Sequence, residues 1–271
     1  MSIKDKIAIL GGGNIGYAIA KGLTDSQKIK KEDILITRRS KNAITEMRKA
    51  GYNVSNNNIS AVKNTSVIII AVTPQQLDGL IQQIKGVIIG RKHIIFSTVS
   101  GVSIKQIKKL IGKNVPVVRV MPNTAIAIRE SMTCIASDEK DRRGKELAAE
   151  LFNNLGETVI IKEDLMVPAT ALCACGTAFF LRAIRAASQG GIEIGFHSEE
   201  ALFMAAQTAK GAAEMLLKEK NHPEKEVDKV TTPMGCTIAG LNHMEHSGFS
   251  SSLIKGIVVS AEKAKTLYSN D

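Results

Sequence analysis

Three glycines, Gly11, Gly13 and Gly16, stand in the segment GGGNIGYAIAKGL, directly after the apolar run KIAIL and at the head of an amphipathic stretch. Glycine adopts left-handed backbone and lets the main chain approach a ligand closely. A helix opening at such a turn offers bare N–H groups and the positive end of its dipole, which together suit a pyrophosphate. Gly11, Gly13, Asn14, Ile15 and Gly16 are therefore the expected cradle of a dinucleotide; without the strand and helix context they would be only a glycine-rich turn. Roughly twenty residues on, where an acid commonly holds the ribose 2′-hydroxyl of NAD, the next apolar run ends in Thr37, Arg38, Arg39 and Ser40. Two guanidiniums and a hydroxyl suit a 2′-phosphate instead. The expected cofactor is NADPH, with NADH as the lesser alternative. Small residues at the ends of the next runs, Ala71, Val72, Thr73, Pro74 and Gln75, then Ser97 to Gly101, leave room for a flat ring and ribose against a sheet.

The elements that must hold these residues are legible as short apolar runs at 6–10, 33–37, 66–72, 93–98, 115–120, 133–136 and 158–161, separated by amphipathic segments. Strands alternating with helices imply crossover connections and a mostly parallel sheet. The runs are apolar throughout rather than alternating, as strands covered on both faces are. The expected class is α/β, a doubly wound Rossmann-type sheet spanning 1–164. From 165 to 271 the strands stop and Ala, Leu and Met-rich segments take over at about 165–189, 199–219 and 251–267, with Ser198 as the expected cap of the second. The stretch EEALFMAAQTAKGAAEMLL carries few charges for a surface helix, which predicts a second subunit over it and an all-helical, dimer-forming domain.

Charge follows the same boundary. Residues 1–164 carry 26 Lys/Arg against 15 Asp/Glu, and the remainder 10 against 11, so the net +10 belongs to the first part. The lysines are scattered over helix exteriors and aromatics make up 4% of the chain, a pattern that disfavours nucleic acid and suits steering of a small polyanion. The uncharged stretch from Met166 to Leu181 falls short of the roughly 20 apolar residues of a membrane span, and the amino terminus lacks a signal-peptide apolar region. No membrane partner and a cytoplasmic location are the expectations. Cys134, Cys173, Cys175 and Cys236 show no paired spacing and read as small buried thiols; a zinc set drawn from Cys173, Cys175 and Cys236 with His243 or His246 fits no standard pattern, so no metal is expected.

The segments AVTPQ, RVMPNT (Arg119 to Thr124), AAQTAKGAAEMLL, the pair HP at 222–223, TTPMGCTIAGL (231–241) and HSGFSSSLIKGI together resemble Δ1-pyrroline-5-carboxylate reductases nearly end to end. That resemblance implies a nucleotide domain followed by an interleaving helical domain and NAD(P)H-dependent reduction of a cyclic imine to proline; a homodimer through the helical domain is expected, with its assembly into a ring of dimers left open. It implies that Thr237 is the catalytic threonine whose hydroxyl meets the ring nitrogen, and that Thr232, Gly235 and Cys236 surround the substrate carboxylate. Asn58 then contacts the nucleotide, and Met121, Pro122 and Asn123 border the nicotinamide. In the bland reading these residues are helix caps and turns.

Departures from the family pattern cluster near the same positions. Cys173 and Cys175 stand where serines are usual, Met234 replaces the first glycine of the signature pair, and Lys229 stands where a neutral residue is common and would place a cation near the phosphates. Two alternatives follow: a reductase of another cyclic imino acid, and a non-catalytic NADP-binding regulatory protein. A β-hydroxyacid dehydrogenase would want a lysine early in the helical part, and none lies between Lys162 and Lys210.

Overall fold

The computed structural model describes residues 6–139 and 141–268. It divides into two compact units, one reaching to Cys175 and resuming at Ser260, the other Gly176–Val259.

In chain order the first unit contains β1 (Ile7–Leu10), α1 (Asn14–Asp25), β2 (Ile34–Thr37), α2 (Lys41–Lys49), β3 (Asn53–Ser55), α3 (Asn58–Lys63), β4 (Val67–Ile70) and α4 (Pro74–Ile84). It continues with β5 (Ile94–Ser97), α5 (Ile104–Ile111), β6 (Val117–Met121), β7 (Ser131–Ser137), α6 (Arg142–Phe152), β8 (Gly156–Ile160) and the short α7 (Met166–Ala169). The eight strands form one sheet in the order β3-β2-β1-β4-β5-β6-β7-β8, parallel except where β7 runs against β6. This is the doubly wound α/β sheet expected. β3 is an addition to it, and its sequence, NVS, is too short and polar to announce itself.

Strand β1 shows why the runs are apolar throughout. Ile7 and Ile9 enter the cluster holding Ile19, Leu23, Phe96 and Phe152, while Ala8 and Leu10 enter the opposite cluster holding Leu77, Ile81, Ile95 and Ile107. Successive side chains point to opposite faces, and helices cover both. Each fully buried Ile or Leu contributes about 1.5–3 kcal/mol.

Register fixes where ligands meet the sheet. Leu10 lies level with Thr37 on one side and Ile70 on the other, and Ile70 is level with Ser97. The four strands therefore end in one row, and the loops after them open along one edge. Strand order reverses between β1 and β4, the switch point at which such sheets bind ligands.

Among the described residues every element after β8 is helical, and packing assigns the residues up to Cys175 and those from Ser260 to the first unit. Thr170–Cys175 form a π-helical turn. The second unit holds α8 (Gly176–Glu193), α9 (Ser198–Glu219), α10 (Pro223–Lys229), α11 (Cys236–His246) and most of α12 (Phe249–Lys265). Helix α9 begins at Ser198, but His197 is its cap, with the His197 N–H donating to Glu200 Oε2 at 3.3 Å; the expected serine cap is displaced by one residue. Within α9 only Ala201 is buried, where it approaches Gly191 of α8. Phe180, Leu181, Ile194, Phe203 and Leu217 are left exposed on this unit.

The helical backbone from Glu163 to Glu193 is longer than the apolar stretch read from sequence. Its 31 residues, with a window of mean hydropathy 1.6, meet the length and composition of a membrane-crossing helix. The helical backbone continues past Pro168 and Gly176, which had marked the segment as interrupted, so it is longer than the stretch read from sequence.

Candidate functional site

The loops at the carboxyl edge of β1, β2 and β4 enclose a groove of about 640 Å³. Of the cofactor residues expected from sequence, Gly11, Gly13, Arg38, Arg39, Ser40, Asn58, Ala71, Val72 and Thr73 line it, together with Thr37 and Gln75. Asn56, Gln76, Gly79 and Gln83 line it too and were not foreseen. A signal existed for Gln76, Gly79 and Gln83, since they lie about one turn apart on the helix opening at Pro74. Asn56 sits in a loop after a strand that sequence did not reveal.

The glycines have separate duties. Gly11 has φ +108°, and a Cβ there would run into the carbonyl of Ala71. A Cβ on Gly16 would strike the Gly11 carbonyl, so this glycine lets α1 close onto the loop rather than touching the groove. At Gly13 a Cβ would stand 3.3 Å from Arg38 Nη1, which places the guanidinium beside the glycine turn. Thr37 anchors the loop: its carbonyl accepts from the Gly12 N–H at 2.7 Å, and its hydroxyl accepts from the Gly11 N–H at 3.3 Å.

Two helices open at this edge without a side-chain cap. Helix α1 is preceded by Gly13, and α4 by Thr73 with Pro74 in its first turn; neither has an acid there. Their first N–H groups are available to an anion and their dipoles favour one. Arg38 and Arg39 form no ion pair among the described residues. Ser40 caps α2, accepting from the Ala43 N–H at 3.5 Å. On the far wall Asn58 Nδ2 donates to Gln83 Oε1 at 2.9 Å. A Cβ-free cradle, two bare helix starts and two unpaired guanidiniums fit a dinucleotide carrying an extra phosphate.

Asn14, Ile15, Gly16 and Pro74 lie in the first turns of α1 and α4, behind the lining. Met121, Pro122 and Asn123 are buried at the end of β6. Asn123 spends its side chain on the fold: Oδ1 accepts from the Ala125 N–H at 3.0 Å, Nδ2 donates to the Cys173 carbonyl at 3.2 Å, and its own N–H donates to Ser131 Oγ at 3.1 Å. A few residues along the same strand, buried Arg119 meets Glu163 Oε1 at 3.6 Å, and that oxygen also accepts from the Ile104 N–H at 2.6 Å. Burial pushes the Arg119 guanidinium below its ordinary value, and the Glu163 charge opposes that.

In the second unit Thr232, Gly235, Cys236 and Thr237 form one turn and helix start. The Gly235 N–H donates to the Thr232 carbonyl at 2.9 Å, and Gly235 caps α11 without a side-chain bond. Thr237 is the second residue of α11, half-buried and past the cap, so the bland reading of it as a capping residue does not describe it. Met234 has φ 57° and a fully exposed side chain in this unit; it occupies backbone that glycine adopts more cheaply. Lys229 is held by both oxygens of Glu226, at 2.8 and 2.9 Å, within this unit.

Residues 163–267 match the family model described as pyrroline-5-carboxylate reductase dimerisation, and residues 6–101 the one described as NADP oxidoreductase, coenzyme F420-dependent. Among similar proteins are pyrroline-5-carboxylate reductase 1 of Dictyostelium discoideum, 52% identical over 97% of this chain and 50% of that one, and reductase 2 of the same organism, 47% identical over 95% and 91%. The chain thus spans about half the length of the first. A Plasmodium falciparum pyrroline carboxylate reductase solved with NADP bound superposes with a TM-score of 0.90 at 26% identity, covering 99% of this chain and 100% of that one. The Coxiella burnetii pyrroline-5-carboxylate reductase does so at 0.86 and 27%, over 98% and 100%.

Proposed function

This chain belongs to the pyrroline-5-carboxylate reductase family, and from that premise we propose that it reduces Δ1-pyrroline-5-carboxylate to L-proline with NADPH, as a homodimer joined through its helical unit. The observation that carries the reading is the groove in which bare helix starts, a glycine cradle and the Arg38–Arg39 pair converge. NADPH, when bound, supplies the hydride. The protein's own groups bind and orient. Gly11, Gly13 and the first N–H groups of α1 hold the pyrophosphate, and Arg38 and Arg39 hold the 2′-phosphate.

The substrate's polar groups are an anionic carboxylate and a basic ring nitrogen. The start of α11, which no side chain caps, offers the N–H groups of Cys236 and Thr237 to the carboxylate, with Thr232 beside them. The Thr237 hydroxyl meets the ring nitrogen. An imine nitrogen is basic enough to take a proton without a strong enzymic acid, so a positioned hydroxyl and correct orientation suffice. His243 and His246 are exposed on α11. The exposed Phe203 and Leu217, with their neighbours, lie under the partner subunit.

The test is NADPH consumption by the purified protein on addition of Δ1-pyrroline-5-carboxylate. Turnover should be NADPH-preferring. The Thr237→Val variant should lose about 10- to 100-fold in kcat/KM, the loss of one hydrogen bond of about 1.5–3 kcal/mol to a charged group, while Thr237→Ser recovers most of it. A folded, NADPH-binding protein that reduces no cyclic imine would leave only the regulatory alternative.

A further inference from the structure

We propose that Cys134 and Cys173 are an oxidisable thiol pair that closes into an intramolecular disulfide when the protein meets a low-molecular-weight disulfide. Their sulfurs lie 3.7 Å apart. Cys134 is in the interior of β7 at 2% exposure, and Cys173 is half-buried on the π-helical turn Thr170–Cys175, so one sulfur is sheltered and the other reachable. The reduced sulfurs sit near van der Waals contact, about 1.7 Å from bonding distance.

The two backbones differ in how they absorb that closure. Strand β7 is clamped between β6 and β8. A π turn carries one residue more than an α-helical turn and is a site where helices adjust. Cys173 therefore moves toward Cys134 rather than the reverse. Around them Met121, Ala136, Met166 and Ala169 form an apolar patch in which the two thiols pack.

Chemistry assigns their order. The two sulfurs share one S–H···S contact, and that contact, with burial holding the Cys134 proton on, pushes Cys173 down to about 7. The Cys173 thiolate attacks one sulfur of the oxidant RSSR, forming a mixed disulfide and releasing RS⁻. Cys134 then attacks the Cys173 sulfur, its proton passing to thiolate, and expels the second RS⁻. Two protein thiols are oxidised and one RSSR is reduced to two RSH. The carbonyl of Cys173 accepts from Asn123, so the bond forms on the residue that ties down the turn after β6.

The experiment exposes the full-length folded protein to oxidised glutathione, quenches with acid and maps peptides by mass spectrometry. The expected product is a cross-linked peptide pair containing Cys134 and Cys173, lighter by two hydrogens and reversed by dithiothreitol. Cys134→Ala removes the resolving thiol and should accumulate glutathione on Cys173; Cys173→Ala should leave Cys134 unmodified. Circular dichroism confirms that each variant is folded, and if one is not, the other with the wild type decides. Glutathione taken up only at Cys175 or Cys236, with Cys134 and Cys173 both still open to alkylation after denaturation, would overturn the proposal.

Discussion

At the residue scale, charge and space decide. Arg38 and Arg39 line the groove and form no ion pair among the described residues, so each is available to phosphate. Replacing either with alanine should raise KM for NADPH about 10- to 100-fold, the loss of a charge-assisted bond of about 1.5–3 kcal/mol, and should leave KM for NADH nearly unchanged. Steady-state kinetics with the two coenzymes checks it; equal losses would mean that the arginines serve the fold. Gly16 makes a different argument, because a methyl there meets the Gly11 carbonyl. Gly16→Ala should cost about 1–3 kcal/mol of stability as an overpacked contact and weaken NADPH binding, read by thermal melts with and without nucleotide. The roles proposed for Gly11, Gly13, Arg38 and Arg39 were legible in sequence because residue type and spacing express them directly. The bonds of Asn123 to Ala125, Ser131 and Cys173 were not, since spacing cannot foretell them.

At the element scale the strands were readable wherever both faces are buried, since an unbroken apolar run of four or five residues has few other uses. The edge strand β3, with exposed Asn53 and only Val54 buried, carries no such signal, and the groove residue Asn56 after it was lost with it. The α9 cap moved from Ser198 to His197 because helix ends rest on local backbone geometry more than on composition. A buried histidine ties β5 to the elements beside it. His93 Nδ1 accepts from the Ile89 N–H at 2.9 Å, and Nε2 lies 3.1 Å from the Val62 carbonyl, so the neutral ring satisfies both. Burial, with Lys92 adding to it, pushes His93 below 6.5. Because the folded value is the lower one, the unfolded chain binds the proton first. Stability is therefore full above about pH 6.5 and falls as pH drops from there toward the folded value. His93→Asn should start less stable and show a flatter melting temperature between about pH 5 and pH 7; an unchanged slope would contradict this.

For the whole molecule, the helical unit leaves its apolar side chains uncovered within one chain, and the dimerisation model spans them. The low charge of the 199–217 stretch had already pointed to a partner, whereas α10 and α11, of 7 and 11 residues, are too short to carry an extended apolar pattern. The double variant Phe203→Glu, Leu217→Glu should dissociate the assembly in sedimentation and abolish proline formation. NADPH binding, which rests on residues of the first unit, should survive. Loss of both together would place the interface and the groove in one cooperative unit. The central claim is that hydride passes from NADPH held against Arg38 and Arg39 to the imine carbon of a cyclic imino acid. Its most direct test supplies NADPH deuterated at the transferable position together with Δ1-pyrroline-5-carboxylate and examines the product by mass spectrometry. The predicted result is L-proline carrying one deuterium at the former imine carbon, in step with NADP⁺ formed. Unlabelled product, or intact coenzyme and imine after incubation with folded, nucleotide-bound protein, would contradict it.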